Sequence, residues 1–330
     1  MTRRWDAVLA VAGLALFAFA ASRIGWGAVI NAIVEARFAV AIILGLSLCR
    51  LILQTRSWSI ALRSEGIEAS TSELMLIRLA SQGIGYLSVL GPVASEPMRI
   101  SLLRKPGGTG TASTLADTGV YWFTTAMVGI AGCLSAVVVL AHHHGHLVRS
   151  LEIFGVVLAG FLVLVAHPKS RLSPLVETLG RRCPQWLRKG MQIEVAIREF
   201  QNRNPSSIRR MFWLGVACQL TVLAEIAAIF WCLQIPVHSG AVFAVEGATR
   251  AIKIVGGWMP ARIGVDESGT AGAFLAFGLL PAAGLTLALV RRFRDLLSAL
   301  IGLTWLALGT GFWKIMPARM PEVAYVEEEA

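Results

Sequence analysis

The feature that most constrains this chain is its succession of long, uncharged apolar runs. A helix that crosses a bilayer needs about 20 mostly apolar residues, because hydrocarbon is about 30 Å thick and the helix rises about 1.5 Å per residue. Ala7 to Ser22 has no charge and follows Arg3, Arg4 and Asp6. Phe38 to Leu53 carries only Arg50, Thr118 to Val148 has no Asp, Glu, Lys or Arg, and Met211 to Ile235 carries only Glu225. Ile153 to Ala166, Ser268 to Val290 and Leu296 to Trp313 are uncharged. In lipid every backbone N–H and C=O must be satisfied within the protein, so these runs predict α-helices. The first run also reads as a signal peptide, with Arg3 and Arg4 ahead of it and Ala18-Phe19-Ala20 as a small-residue cleavage site. The many later spans make an uncleaved first helix the simpler reading.

Composition agrees. Hydrophobic residues are 55% of the 330 and charged residues only 15%, whereas a soluble domain carries about 25% charged residues. An ordinary soluble enzyme, a disordered chain and a collagen-like chain are excluded. The net charge of +10 fits cationic loops facing anionic headgroups. Nucleic-acid binding is disfavoured, because the basic residues follow a topogenic pattern without interleaved aromatics.

The segment from His167 to Arg210 has ten basic residues against Glu177, Glu194 and Glu199. It belongs on the cytoplasmic side by the positive-inside rule. So do Arg3, Arg4, Arg56 and Arg63, which puts the N-terminus in the cytoplasm and His142 to His146 outside. Within the basic segment, Gln185 to Asn202 reads as an interfacial helix, with Leu187, Ile193, Ile197 and Phe200 among charged residues.

Other motifs carry less. The five cysteines have no CxxC spacing, so neither a disulfide framework nor a zinc site is expected. The histidine run lacks helical ligand spacing and reads as a wet loop rather than a metal site. Gly107 to Thr111 precedes a helix but lacks the lysine of a P-loop, and reads as a connector. Glu327 to Glu329 reads as a disordered tail.

Two segments are not simple spans. Residues 72–105 contain Glu73, Arg78, Gly83, Gly85, Gly91, Pro92, Glu96, Pro97 and Arg99. Residues 240–278 contain Glu246, Arg250, Lys253, Gly256, Gly257, Pro260, Arg262, Gly264, Asp266, Glu267 and Gly269. Each is an apolar approach, a Gly/Pro break, a charged turn and a second apolar helix. Broken backbone at membrane depth survives only where protein buries it or a wet cavity lines it. Two re-entrant helical hairpins are therefore expected. Ala80, Ile84 and Pro92 align in register with Ala248, Ile252 and Pro260, and a glutamate follows each proline, Glu96 and Glu267. Interrupted segments at matching places in two halves point to a transporter's binding site.

These residues resemble the transmembrane, flippase-like region of lysylphosphatidylglycerol synthases. The first half has Gly91-Pro92 followed by Ser95-Glu96-Pro97-Met98-Arg99, similar to the family's Pro…Gly-Glu-x-x-Arg stretch, with Ser95 where Gly is usual. The second half has Met259-Pro260, Gly264-Val265-Asp266-Glu267 and the later Arg291-Arg292. The resemblance implies binding or moving lipids between leaflets, in the inner membrane of a bacterium, without a cofactor. Only Lys314 to Ala330 follow Trp313, too few for the aminoacyl-transferase domain, so synthase activity and tRNA are not carried over. Hopanoid and glycolipid pathways keep the cargo open.

The expected architecture is an all-α integral membrane protein of about six spanning helices plus two oppositely oriented re-entrant hairpins, an inverted repeat. Residues 1–166 form the first half, 167–210 the linker and 211–330 the second half. Candidate substrate-binding residues are Pro92, Glu96, Arg99, Glu225, Arg250, Lys253, Pro260, Arg262, Asp266, Glu267 and Arg291. Ionisable groups at membrane depth are costly, about 2.5–3.5 kcal/mol each on insertion scales, and face a cavity or a partner. Glu96 and Arg99 at i, i+3 are expected to pair, and with Pro92 to receive a lipid phosphate. Arg250, Lys253 and Arg262 are expected to neutralise Asp266 and Glu267 or to contact phosphate. Glu225 is expected to meet a hairpin cation. Asp295 offers a partner to Arg291, unless Arg291 to Asp295 form a cytoplasmic turn, which would flip an otherwise cytoplasmic C-terminus. Expected partners are anionic membrane lipids, a second copy, or a lipid-synthesis protein. A membrane enzyme using Glu96, Asp266 or Glu267 as acid or base, and a non-catalytic subunit of a lipid-synthesis assembly, remain open.

Overall fold

The structure, a computed structural model, describes residues 37–87, 92–103, 110–140, 199–236, 238–256 and 264–308, with positions 34, 153, 155–157, 159–160 and 262. The first span, the cleavage site, Gly91, Gly107 to Thr109, the histidine run, residues 167–198 of the basic linker, Pro260 and the acidic tail lie outside the described residues.

Eight helices are described: α1 (Arg37–Arg63), α2 (Thr71–Leu87), α3 (Pro92–Leu103), α4 (Thr111–Leu140), α5 (Pro205–Cys232), α6 (Ser239–Val255), α7 (Val265–Ala276) and α8 (Pro281–Leu308). Among the described residues there is no strand. Among the described residues three helices are long and apolar enough to cross a membrane: Phe38–Arg63 in α1, then α4 and α5. α8 is equally long at 28 residues, but Arg291, Arg292, Arg294 and Asp295 interrupt its apolar surface midway.

One expected span changes. Ser268 to Val290 is not one helix. α7 ends at Ala276, Gly278 turns at φ +70°, and α8 restarts at Pro281. Proline at a first helical position loses no hydrogen bond and presets φ, so Pro281 marks a natural restart. Conversely, Arg291 to Asp295 form no turn. α8 runs through them, and burying Arg291 and Arg294 against acidic partners keeps the helix intact.

The helix lengths repeat. α1 to α4 have 27, 17, 12 and 30 residues. α5 to α8 have 28, 17, 12 and 28. The interval from Thr71 to Ser239, the first residues of α2 and α6, equals that from Ala80 to Ala248. The packing is exchanged between the sets: α1 lies on α5, α2 lies on α8, and α6 lies on α4. Within each set the 17-residue helix also packs on the 12-residue helix.

Small residues permit the exchanged crossings. A Cβ at Gly132 of α4 would stand 2.6 Å from Gly247 Cα and from the Phe243 carbonyl of α6. A Cβ at Gly302 of α8 would fall on the Leu79–Ala80 backbone of α2. Leu79 and Gly247 are separated by the same interval as Ala80 and Ala248. Without a hydrophobic drive between helices in lipid, such close backbone packing supplies much of the association.

The interior and the exterior differ in a way that water would not tolerate. Trp58, Phe230 and Phe274 are fully buried, with Phe230 and Phe274 edge to face at 5.8 Å. Outside, Leu134, Val138, Trp213, Leu220, Trp231, Leu300 and Leu308 are each more than half exposed. Apolar patches this extensive mark a lipid-facing surface.

Candidate functional site

The chemistry sits inside the helix body. Asp117, early in α4 and buried, accepts from Arg78 Nη2 at 2.7 Å, Arg99 Nη2 at 2.5 Å and Ser57 Oγ at 2.6 Å. Arg78 also donates to the Gln54 carbonyl at 3.0 Å. The Arg99 guanidinium lies 4.0 Å from the Trp58 ring centroid, and Trp58 Nε1 donates to Thr114 Oγ1 at 3.0 Å. Arginine suits this setting because its planar cation forks onto carboxylates and stacks on aromatics. Gln54, Ser57, Arg78, Asp117, Tyr121 and Cys218 line a polar pocket with room for about one water molecule.

A second network centres on Glu225 of α5, which is fully buried. It takes Arg294 at 2.6 Å and Arg291 at 3.2 Å from α8, and Arg50 at 3.3 Å from α1. Arg291 continues to Glu246 of α6 at 3.3 Å. Glu246 takes Arg250 Nε at 2.8 Å, one turn along. Arg250 reaches Gln219 Oε1 at 2.7 Å and the Thr125 carbonyl at 2.8 Å. Arg294 shares Asp295 at 2.9 Å.

The third group lies at the start of α7. Gly264 has φ +80°, a conformation open to glycine and costly for other residues. Its N–H donates to Glu267 Oε2 at 2.9 Å. The other Glu267 oxygen pairs with Arg292 of α8. Arg262 Nε pairs with Asp266 at 3.1 Å.

The two sets of helices place their charges with opposite polarity. In the first, Arg78 of α2 and Arg99 of α3 close on a carboxylate of α4. In the second, Glu246 of α6 and Glu267 of α7 close on the α8 guanidiniums of Arg291 and Arg292. Arg78 and Glu246 again share the interval of Ala80 and Ala248.

Several expectations hold. Glu96 and Arg99 pair, at 3.7 Å, although Asp117 is Arg99's nearer partner. Arg262 neutralises Asp266. Others are corrected. Asp295 partners Arg294 and not Arg291, because Arg291 is drawn between Glu225 and Glu246. Glu225 meets α1 and α8 cations and not a hairpin cation, because Arg250 is held by Glu246 and Gln219. Glu267 is neutralised by Arg292 and not by Arg250, Lys253 or Arg262. The candidate residues do not converge on one point: α2 and α7 both pack on α8, and no direct packing of α2–α3 on α6–α7 stands out. Pro92 opens α3.

Asp117 stands directly before the uncharged run Thr118 to Val148, which leaves it outside the candidate residues. A lone acid nearly two turns inside an apolar helix is the available signal. Arg78 and Glu246 read only as members of charged segments, and Arg292 as part of the Arg291-Arg292 pair, since nothing in one dimension shows which charges meet. Among the described residues no three His, Cys, Asp or Glu gather as metal ligands.

Removing the Asp117 charge tests this site. Asp117→Asn leaves Arg78 and Arg99 buried with only Glu96, 3.7 Å from Arg99, as counter-charge, and breaking such a set costs about 3–5 kcal/mol. Thermal unfolding in detergent should show a large loss, with partial recovery in Asp117→Glu. An unchanged midpoint would remove Asp117 from the core.

Apolar outer faces, three helices of spanning length and charges buried within define an all-helical integral membrane protein. The profile of the lysylphosphatidylglycerol synthase TM region matches residues 5–302. The chain belongs to that family. A comparison with curated proteins gave no match.

Proposed function

We propose that the protein carries a polar-headed membrane lipid (a phospholipid, glycolipid or hopanoid) between leaflets. The headgroup passes along the buried charges while the tails stay in lipid. The observation that supports this most is the concentration of ion pairs inside a body whose outer face is apolar. Charges at such depth are costly and mark substrate pathways. Family membership points to lipid as the substance handled.

In this reading the α2–α3 and α6–α7 units are re-entrant hairpins, entering from opposite sides of the bacterial inner membrane with the N-terminus in the cytoplasm. The two sets of four helices form an inverted repeat, which the repeated lengths and exchanged packing support. Such repeats allow one bundle to rock against the other around a central site.

A leaflet assay tests the proposal. The purified protein is reconstituted in liposomes with headgroup-labelled lipids, and the accessibility of the label to an impermeant quencher is followed. Wild type should equilibrate the label at least about tenfold faster than empty liposomes. Glu96→Gln and Arg262→Gln alter half-buried members of the path and should slow movement while leaving the fold intact. A folded protein that moves none of these lipids would overturn the translocase reading and favour a lipid-modifying enzyme or an assembly subunit.

A further inference from the structure

We infer that the charge network of the second half is an anion site centred on Lys253, built for a phosphate group with more negative charge than a zwitterion provides. The inference rests on the lipid-carrier reading for the source of that phosphate, but not for the site itself.

The charge balance carries the argument. Around Glu225 and Glu246 stand five cations, Arg50, Arg250, Lys253, Arg291 and Arg294, against three carboxylates, Glu225, Glu246 and Asp295. The neighbouring pairs Arg262–Asp266 and Arg292–Glu267 are neutral and leave the excess unchanged. So does the Arg78, Arg99, Asp117 and Glu96 group of the first half. These described networks therefore hold two positive charges more than negative ones.

The excess has a location. Each of the four arginines has a carboxylate within 3.3 Å. Lys253 has none at ion-pair distance among the described residues. It lies two turns after Glu246 and one after Arg250, on the same face of α6. Its electrostatic neighbours are Arg291 and Arg262, which repel it, and Glu246, Asp266 and Asp295, which attract it. Its place in the last turn of α6 gives it the helix dipole, but that is worth only about half a charge. An ammonium is a compact charge with three donors and binds phosphate as a point charge. With Arg250 and Arg291 alongside, an incoming phosphate would meet net positive charge in a low-dielectric setting, where an unbalanced ion is costly. A phosphomonoester, carrying about −1.5 to −2 near neutral pH, would restore balance. A phosphodiester would do so in part, and a phosphocholine not at all.

Native mass spectrometry of the full chain from mixed micelles reads this directly. Phosphatidic acid, phosphatidylglycerol and phosphatidylcholine are compared at equal mole fraction, with Lys253→Gln and Lys253→Arg beside wild type. Phosphatidic acid should be retained about tenfold over phosphatidylcholine in wild type and in Lys253→Arg, with phosphatidylglycerol between them. In Lys253→Gln that ratio should fall to within about twofold. Equal retention of all three lipids by wild type, or a preference that survives Lys253→Gln, would overturn the anion site. The sources separate in a second arm, thermal unfolding with inorganic phosphate. Stabilisation of wild type and Lys253→Arg but not of Lys253→Gln, without retention of any lipid, would keep the site while sinking its lipid source. Neither lipid retention nor phosphate stabilisation overturns both.

Discussion

Glu225→Gln should produce the largest loss of stability of any single charge-neutral change. Its carboxylate is fully buried and holds Arg50, Arg291 and Arg294, drawn from α1 and α8. The amide keeps the size and loses the charge. Removing one partner from a buried ion pair costs about 3–5 kcal/mol, because the remaining charge stays desolvated, and here three guanidiniums share the loss. The purified variant should unfold far below wild type in detergent, or leave size-exclusion chromatography as aggregate. Glu199→Gln provides the internal control. It removes an equivalent i, i+4 partner from Arg203, but both side chains are more than half exposed, and exposed pairs are worth about 0–1 kcal/mol. Equal midpoints for Glu225→Gln and wild type would mean that Glu225 does not tie α1, α5 and α8 together.

The second large effect is steric. Gly132→Leu should drive α4 and α6 apart, since even the first added carbon would stand 2.6 Å from backbone atoms of Gly247 and Phe243. Side chains can rotate away from a clash; backbone cannot. Overpacking costs about 1–3 kcal/mol in soluble cores and occasionally more, and a backbone-to-backbone crossing belongs at the upper end. Gly302→Leu should do the same at the α8–α2 crossing, against Leu79 and Ala80. Gly119→Ala, on the same helix as Gly132, meets nothing within 4 Å. It should be neutral, or should stabilise by about 0.5–1 kcal/mol through the lower entropy of alanine in the unfolded chain. Thermal unfolding of the three variants side by side checks the order. A Gly132→Leu protein as stable as Gly119→Ala would contradict the exchanged packing.

Helix placement was largely legible before the structure, and for one reason. An apolar run of spanning length with at most one charge is read as a helix in hydrocarbon, so α1, α4 and α5 follow from composition along the chain. The breaks in 72–105 and 240–278 were legible too, because Gly and Pro fail to continue a helix wherever they fall together. The run Ser268 to Val290 misled because its interruption carries no charge: Gly278 and Pro281 act through backbone geometry alone. The opposite error was open at Arg291 to Asp295, where charge suggests a turn that partners on α5 and α6 make unnecessary.

The sequence by itself determined that this chain is a helical membrane protein, that Gly and Pro interrupt residues 72–105 and 240–278, and that ionisable residues fall within its apolar runs. Those are consequences of local hydropathy and backbone chemistry, which neighbours in space do not alter. Which carboxylate holds which guanidinium was decided only by the tertiary structure. Asp117 gathers Arg78 and Arg99, Glu225 gathers Arg50, Arg291 and Arg294, and among the described residues Lys253 has no carboxylate at ion-pair distance. The pairing depends on how α2 crosses α8 and α6 crosses α4. Glycines set those crossings by letting backbones touch, and contact between distant helices leaves no periodic trace along a single chain.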